Sequence, residues 1–88
     1  MTRYINPPEM TKETFLINNA EEIDLIRFKR QDKNDSQIFV VLVDNGHFTA
    51  AAIVDNSSDF ARFTRPSDHR PKKFFLIDKD KLTPDLIL

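Results

Sequence analysis

Residues 38–54 read Ile38-Phe39-Val40-Val41-Leu42-Val43-Asp44-Asn45-Gly46-His47-Phe48-Thr49-Ala50-Ala51-Ala52-Ile53-Val54, two apolar runs joined through Asn-Gly. That dipeptide between apolar runs is the strongest short-range signal for a β-hairpin, because a tight type I′ turn needs positive φ at both central residues. Gly46 is also the only glycine in the chain. Counting outward from a two-residue turn pairs Asp44 with His47, Val43 with Phe48, Leu42 with Thr49 and Val41 with Ala50. Side chains alternate along a strand, so Phe39, Val41 and Val43 share one face with Phe48, Ala50 and Ala52. Ile38, Val40 and Leu42 share the other with Thr49, Ala51 and Ile53. Neither face is polar, so the hairpin must be covered on both sides or lie at an interface. A competing reading starts a helix at Thr49-Ala50-Ala51-Ala52, since Ala is the best helix former and Thr is a good cap.

On the N-terminal side, Asn6-Pro7-Pro8-Glu9 starts extended, because a residue before proline is pushed out of the helical region. Thr11 then caps a helix that begins at Lys12-Glu13-Thr14 and ends between Ile17 and Glu22. Phe15, Leu16, Ala20 and Ile23 are spaced as its buried face. Residues 24–30 have two readings. Ile26, Phe28 and Arg30 alternate with Arg27 and Lys29, as in a strand with one wet face; Ile23, Ile26 and Arg27 also fit a continuing helix. The strand is preferred, because the polar connector 31–36 then leads into the hairpin as an antiparallel meander.

On the C-terminal side, Asp55-Asn56-Ser57-Ser58 is a cluster of turn residues, with Ser57 or Ser58 capping a short helix to Phe63 on which Phe60 and Phe63 share the buried face. Pro66 and Pro71 enclose an irregular loop. Residues 73–78 form a last strand, apolar on both faces. Thr83-Pro84-Asp85 resembles a helix start with proline in the first turn, and the chain closes on Leu86-Ile87-Leu88. The expected fold is α+β. Residues 1–88 form one small domain, a small antiparallel sheet of about four strands with the Asn45-Gly46 hairpin at its centre and two or three short helices.

Composition narrows the function. The chain has 88 residues, a net charge of −1, 40% hydrophobic residues, eight Phe and no Cys. One glycine leaves no glycine-rich phosphate loop, and the lack of cysteine removes disulfides, thiolate nucleophiles and zinc–thiolate sites. It also favours a reducing compartment. No apolar signal core precedes the prolines and no apolar run is long enough to span a bilayer, so a cytoplasmic, soluble protein is expected. No cofactor and no metal are expected, since the two histidines lack the clustered spacing of a transition-metal site.

Three functional readings follow. The first is a non-enzymatic interaction module that binds a protein partner or a second copy of itself. Its surface would be an apolar sheet face bearing Phe39, Val41 and Phe48, together with the tail Leu86, Ile87 and Leu88. The competing account is that helices cover both faces in a three-layer arrangement, which a chain this short struggles to build. The second is nucleic-acid binding through Arg62, Arg65, Arg70, Lys72 and Lys73, five cations in residues 62–73 against Asp68 alone and interleaved with phenylalanines. Cations hold phosphates while aromatic rings stack on bases; the plainer account buries the rings and leaves the cations as a solvated rim. The third is an enzyme that uses Asp44 and His47, if the hairpin mouth sets carboxylate against imidazole.

Overall fold

The computed structural model describes the backbone of residues 8–82 and the side chains of residues 12–82. The elements run α1 (Pro8–Asn19), β1 (Glu21–Ile23), α2 (Leu25–Arg30), β2 (Gln37–Asp44), β3 (Thr49–Val54), α3 (Ser57–Phe63), β4 (Lys72–Asp78) and a 3-10 turn at Lys79–Lys81. The four strands form one antiparallel sheet in the order β1-β4-β2-β3. This is the α+β fold that the chain's patterning predicts.

The hairpin runs through β2 and β3, with Asp44 opposite Thr49, Val43 opposite Ala50 and Val41 opposite Ala52. The register therefore differs from the two-residue turn by two positions, and Asp44 does not face His47. Asn45, Gly46, His47 and Phe48 form a longer loop instead. Among the described residues only Gly46 (φ 90°) and Gln31 have positive φ. Asn45 thus lacks the geometry a type I′ turn demands at its first central residue. Asn45 N donates to Phe48 O (3.0 Å) across the base of this loop, and the Asp44 carboxylate accepts from Gly46 N (2.8 Å) within it. A slip of two leaves every side chain on its expected face, because the strand period is also two.

Both faces are covered, so the molecule has three layers. On one face Phe39, Val41, Val43, Val54 and Leu76 pack with Ile23 of β1, Phe28 of α2, and Phe60 and Phe63 of α3. On the other, Ile38, Val40, Leu42, Phe75 and Ile77 pack under Leu16 of α1, with Phe15, Ala20 and Leu82 at the margin. Ile38 to Val43, six residues in succession, are buried. Two of the three alanines of β3 join the layers: Ala52 packs on the first and Ala51 on the second.

The segment 24–30 is a helix rather than the strand preferred from its alternation. Asp24 caps it, accepting from Arg27 N at 2.8 Å, and Arg27, Lys29 and Arg30 place positive charge in its last turn. Both features suit the helix dipole. Gln31, in the left-handed region (φ 54°), closes it with its N–H on the carbonyls of Arg27 and Phe28. Residues two apart on a helix point to nearly opposite sides. Phe28 is accordingly buried at 0% exposure while Ile26 stands at 60%. The Phe28 ring meets those of Phe39, Phe60 and Phe74, with centroids 5.4, 4.9 and 4.6 Å apart. The meander is consequently shorter than expected, and β4 inserts between β1 and β2.

Two helix starts also shift. α1 begins at Pro8, four residues before Lys12, so Thr11 lies inside the helix and not at its cap. Proline has no N–H to satisfy and its fixed φ suits the first helical position. Ile23, expected on that helix's buried face, belongs to β1 and the opposite layer. At α3 the cap is Asn56 rather than Ser57 or Ser58: its Oδ1 accepts from Asp59 N (3.0 Å) and its Nδ2 donates to Asp59 Oδ2 (3.0 Å). Phe60 and Phe63 share the buried face as expected. The expected helix start at Thr83-Pro84 lies outside the described residues.

The helical assignment of 25–30 makes a testable distinction, since a strand would bury Ile26 and Phe28 together. Phe28→Ala is expected to cost about 3–5 kcal/mol and Ile26→Ala less than about 0.5 kcal/mol. Urea unfolding followed by circular dichroism measures both, and comparable losses would contradict the helix.

Candidate functional site

The five cations of residues 62–73 do not form one free face. Asp68 gathers two of them. Its carboxylate accepts from Arg70 Nε (2.9 Å), Arg70 Nη2 (2.9 Å) and Arg70 N (3.2 Å), and lies 3.3 Å from Lys72 Nζ. The Lys72 ammonium is largely buried and also donates to the carbonyls of Asp68 and Arg70. Arg70 reaches on with Nη1 to Asn45 Oδ1 (3.0 Å), and Asp44 N donates to Pro71 O (2.9 Å). The loop between Pro66 and Pro71 is thereby fastened to the hairpin loop. Lys73 pairs with Glu13 of α1 (2.7 Å), and the Arg62 guanidinium lies over the Phe63 ring at 5.1 Å. Arg65 is exposed.

These contacts set the local electrostatics. The Arg70 guanidinium, hydrogen-bonded to it, holds the Asp68 carboxyl well below the usual carboxylate range; desolvation opposes this and Lys72 reinforces it. Hydrogen bonding to Asp68 raises Arg70 in turn, and hydrogen bonding to Glu13 raises Lys73. The network is a fastening between two loops built from paired charge.

At the hairpin mouth, Asp44 is engaged with Gly46 N and His47 is exposed. Among the described residues no three His, Asp or Glu side chains converge as they would around a metal ion. No helix among them is long and apolar enough to cross a membrane.

The residues expected at a partner surface separate into three groups. Phe39 and Val41 are fully buried beneath α2 and α3, so the sheet face that carries them is interior. Phe48 is exposed (55%) in the hairpin loop at the start of β3. Leu86, Ile87 and Leu88 lie outside the described residues.

With both faces covered, the sheet meets its surroundings at two edges, and they differ. β1 is three residues long and carries Glu21 and Glu22, so charge and brevity protect it. β3 is Thr49-Ala50-Ala51-Ala52-Ile53-Val54, with no charge, no proline and an unbroken register of six pairs to β2. Asn45 N donates to Phe48 O at 3.0 Å, which fixes the hydrogen-bonding parity of the hairpin. Alternation then gives the directly bonded pairs Val43–Ala50, Val41–Ala52 and Phe39–Val54. The bond from Asp44 N to Pro71 O, on the far side of β2, has the same parity. Thr49, Ala51 and Ile53 therefore turn their N–H and C=O groups away from β2, and no other described strand pairs with them. This edge is what the sequence reading missed. The signal was present in the absence of any charge or proline between residues 49 and 54.

No protein-family model, curated protein or solved structure matches this chain.

The Asp68 network predicts an acid-sensitive contribution to stability. Its pKa in the folded chain lies below the unfolded value of about 3.9, so the contribution is complete above that value and is lost as pH falls through the folded one. In urea titrations Asp68→Asn is expected to lower the midpoint at neutral pH. The gap from wild type should hold down to about pH 5 and narrow below about pH 4. A gap unchanged at acid pH would contradict the ionised pair.

Proposed function

We propose that this protein is a non-enzymatic interaction module that accepts an extended polypeptide strand along β3. The observation that carries the proposal is the contrast between the two edges of one sheet. Natural sheets guard their edges because a row of unpaired N–H and C=O groups is a template for another strand. Here the guarding is spent on β1, while the longer β3 has neither charge nor proline. Strand addition draws its affinity from backbone hydrogen bonds and its specificity from alternate side-chain positions. The small side chains of Ala50, Ala51 and Ala52 let a partner strand lie close. Phe48, exposed at the end of the same strand, adds apolar area for it to cover. The tail Leu86-Ile87-Leu88 remains part of the proposed contact surface. A cytosolic setting suits a cysteine-free chain that works through unpaired backbone.

Nucleic-acid binding through residues 62–73 is the weaker reading. Arg70, Lys72 and Lys73 are each paired with a carboxylate of the same chain, so a phosphate would have to displace those partners.

Amide hydrogen exchange tests the proposal residue by residue. In dilute chain, the amides of Thr49, Ala51 and Ile53 are expected to exchange fast and those of Ala50, Ala52 and Val54 slowly. Slow exchange at all six positions in dilute chain would mean that the edge is already covered, and would overturn the reading.

A further inference from the structure

Resting on that reading of the β3 edge, we infer that its occupant is a second copy of the same chain. Two β3 strands would pair antiparallel about a two-fold axis through Ala51, joining two four-stranded sheets into one of eight strands. The register follows from hydrogen-bonding parity. The outward-facing residues are Thr49, Ala51 and Ile53, and only a register centred on Ala51 uses all three within the strand. Thr49 then meets Ile53 of the second copy, Ala51 meets Ala51, and Ile53 meets Thr49. Each of these pairs exchanges two backbone hydrogen bonds.

The side chains in this register are complementary without adjustment. On the α1 face the contacts are Ala51 with Ala51 and Thr49 with Ile53; on the other face Ala50 meets Ala52. One position further out, the exposed Phe48 comes opposite Val54, so its ring covers the end of the second copy's strand. β3 carries no charge from Thr49 to Val54, so the shared ladder consists of uncharged pairs with no like charges opposed. Cross-strand pairs of this kind stabilise a sheet, whereas like charges opposite one another do the reverse. A shift of the register by two residues in either direction breaks the Phe48–Val54 match and leaves one of the three outward-facing residues without a partner inside the strand. A self-complementary patch that closes on itself is also what a two-fold interface requires.

Sedimentation of the full chain over a micromolar-to-millimolar dilution series tests the inference. A reversible species of about twice the 10.3 kDa chain mass is expected. Two variants address the contact. Ala51→Pro removes an N–H that faces away from β2, a position where an edge strand tolerates proline. It should weaken association about thirtyfold through the loss of two backbone hydrogen bonds. Thr49→Lys places a charge against Ile53 of the second copy and should weaken it as well, with circular dichroism unchanged for both variants. A dimer indifferent to Ala51→Pro and Thr49→Lys would overturn the β3 contact. A chain that stays monomeric to millimolar concentration, with fast exchange at Thr49, Ala51 and Ile53, would overturn the second copy as occupant and leave the open edge intact. A monomer with those amides protected would overturn both.

Discussion

Everything in this structure depends on β2 being apolar on both sides. Ile38, Val40 and Leu42 face one way, Phe39, Val41 and Val43 the other, and all six are buried. A strand of that kind cannot lie under a single layer of helix; it needs cover above and below. The chain meets this demand economically. α1 covers one face, two short helices cover the other, and β4, itself apolar on both faces, lies beside β2. Among the described residues no further strand pairs with the outer sides of β1 and β3, and the sequence treats these two strands differently.

Much of this is legible in the amino-acid sequence alone. The two-faced hairpin, the last strand, the Phe60–Phe63 helix and the α+β class all follow from periodicity and turn chemistry. The faces of the hairpin survived an error in its turn because a slip of two restores the strand's own repeat. Elsewhere local pattern competed with local capping. In residues 24–30, alternation of Ile26, Phe28 and Arg30 suggested a strand, yet Asp24 and the three basic residues behind it were the ends of a helix. The length of the segment could not arbitrate, because both elements come in sizes of six or seven residues. At α1, Pro8 is the first helical residue rather than a barrier to the helix.

The basic segment shows where linear reading stops. Five cations against one carboxylate looks like a patch until the carboxylate is seen to take two of them. Asp68, Arg70 and Lys72 alternate in sequence and still converge, because the loop folds back so that Lys72 also reaches the backbone carbonyls of Asp68 and Arg70. Lys73 is neutralised by Glu13, sixty residues earlier, which no local window could reveal. The open edge had the opposite problem. Its signal was written in residues 49–54, but an unguarded strand means something only once it is known to be outermost. Strand order, the least local property of a sheet, decided which absence of charge mattered.

On the proposal made above, the chain meets its partner at β3 and that partner is a second copy of itself. The most direct test is an isotope-filtered nuclear Overhauser spectrum on a mixture of ¹³C-labelled and unlabelled chains at associating concentration. In the register centred on Ala51, Ala50 and Ala52 of different copies form a close, non-hydrogen-bonded pair with α-carbons about 4.5 Å apart. Within one chain the same two residues are about 6.7 Å apart along the strand. The account predicts an intermolecular cross-peak between the α-protons of Ala50 and Ala52. Intermolecular cross-peaks confined to Ile26 or to other residues away from β3, with none between Ala50 and Ala52, would contradict it.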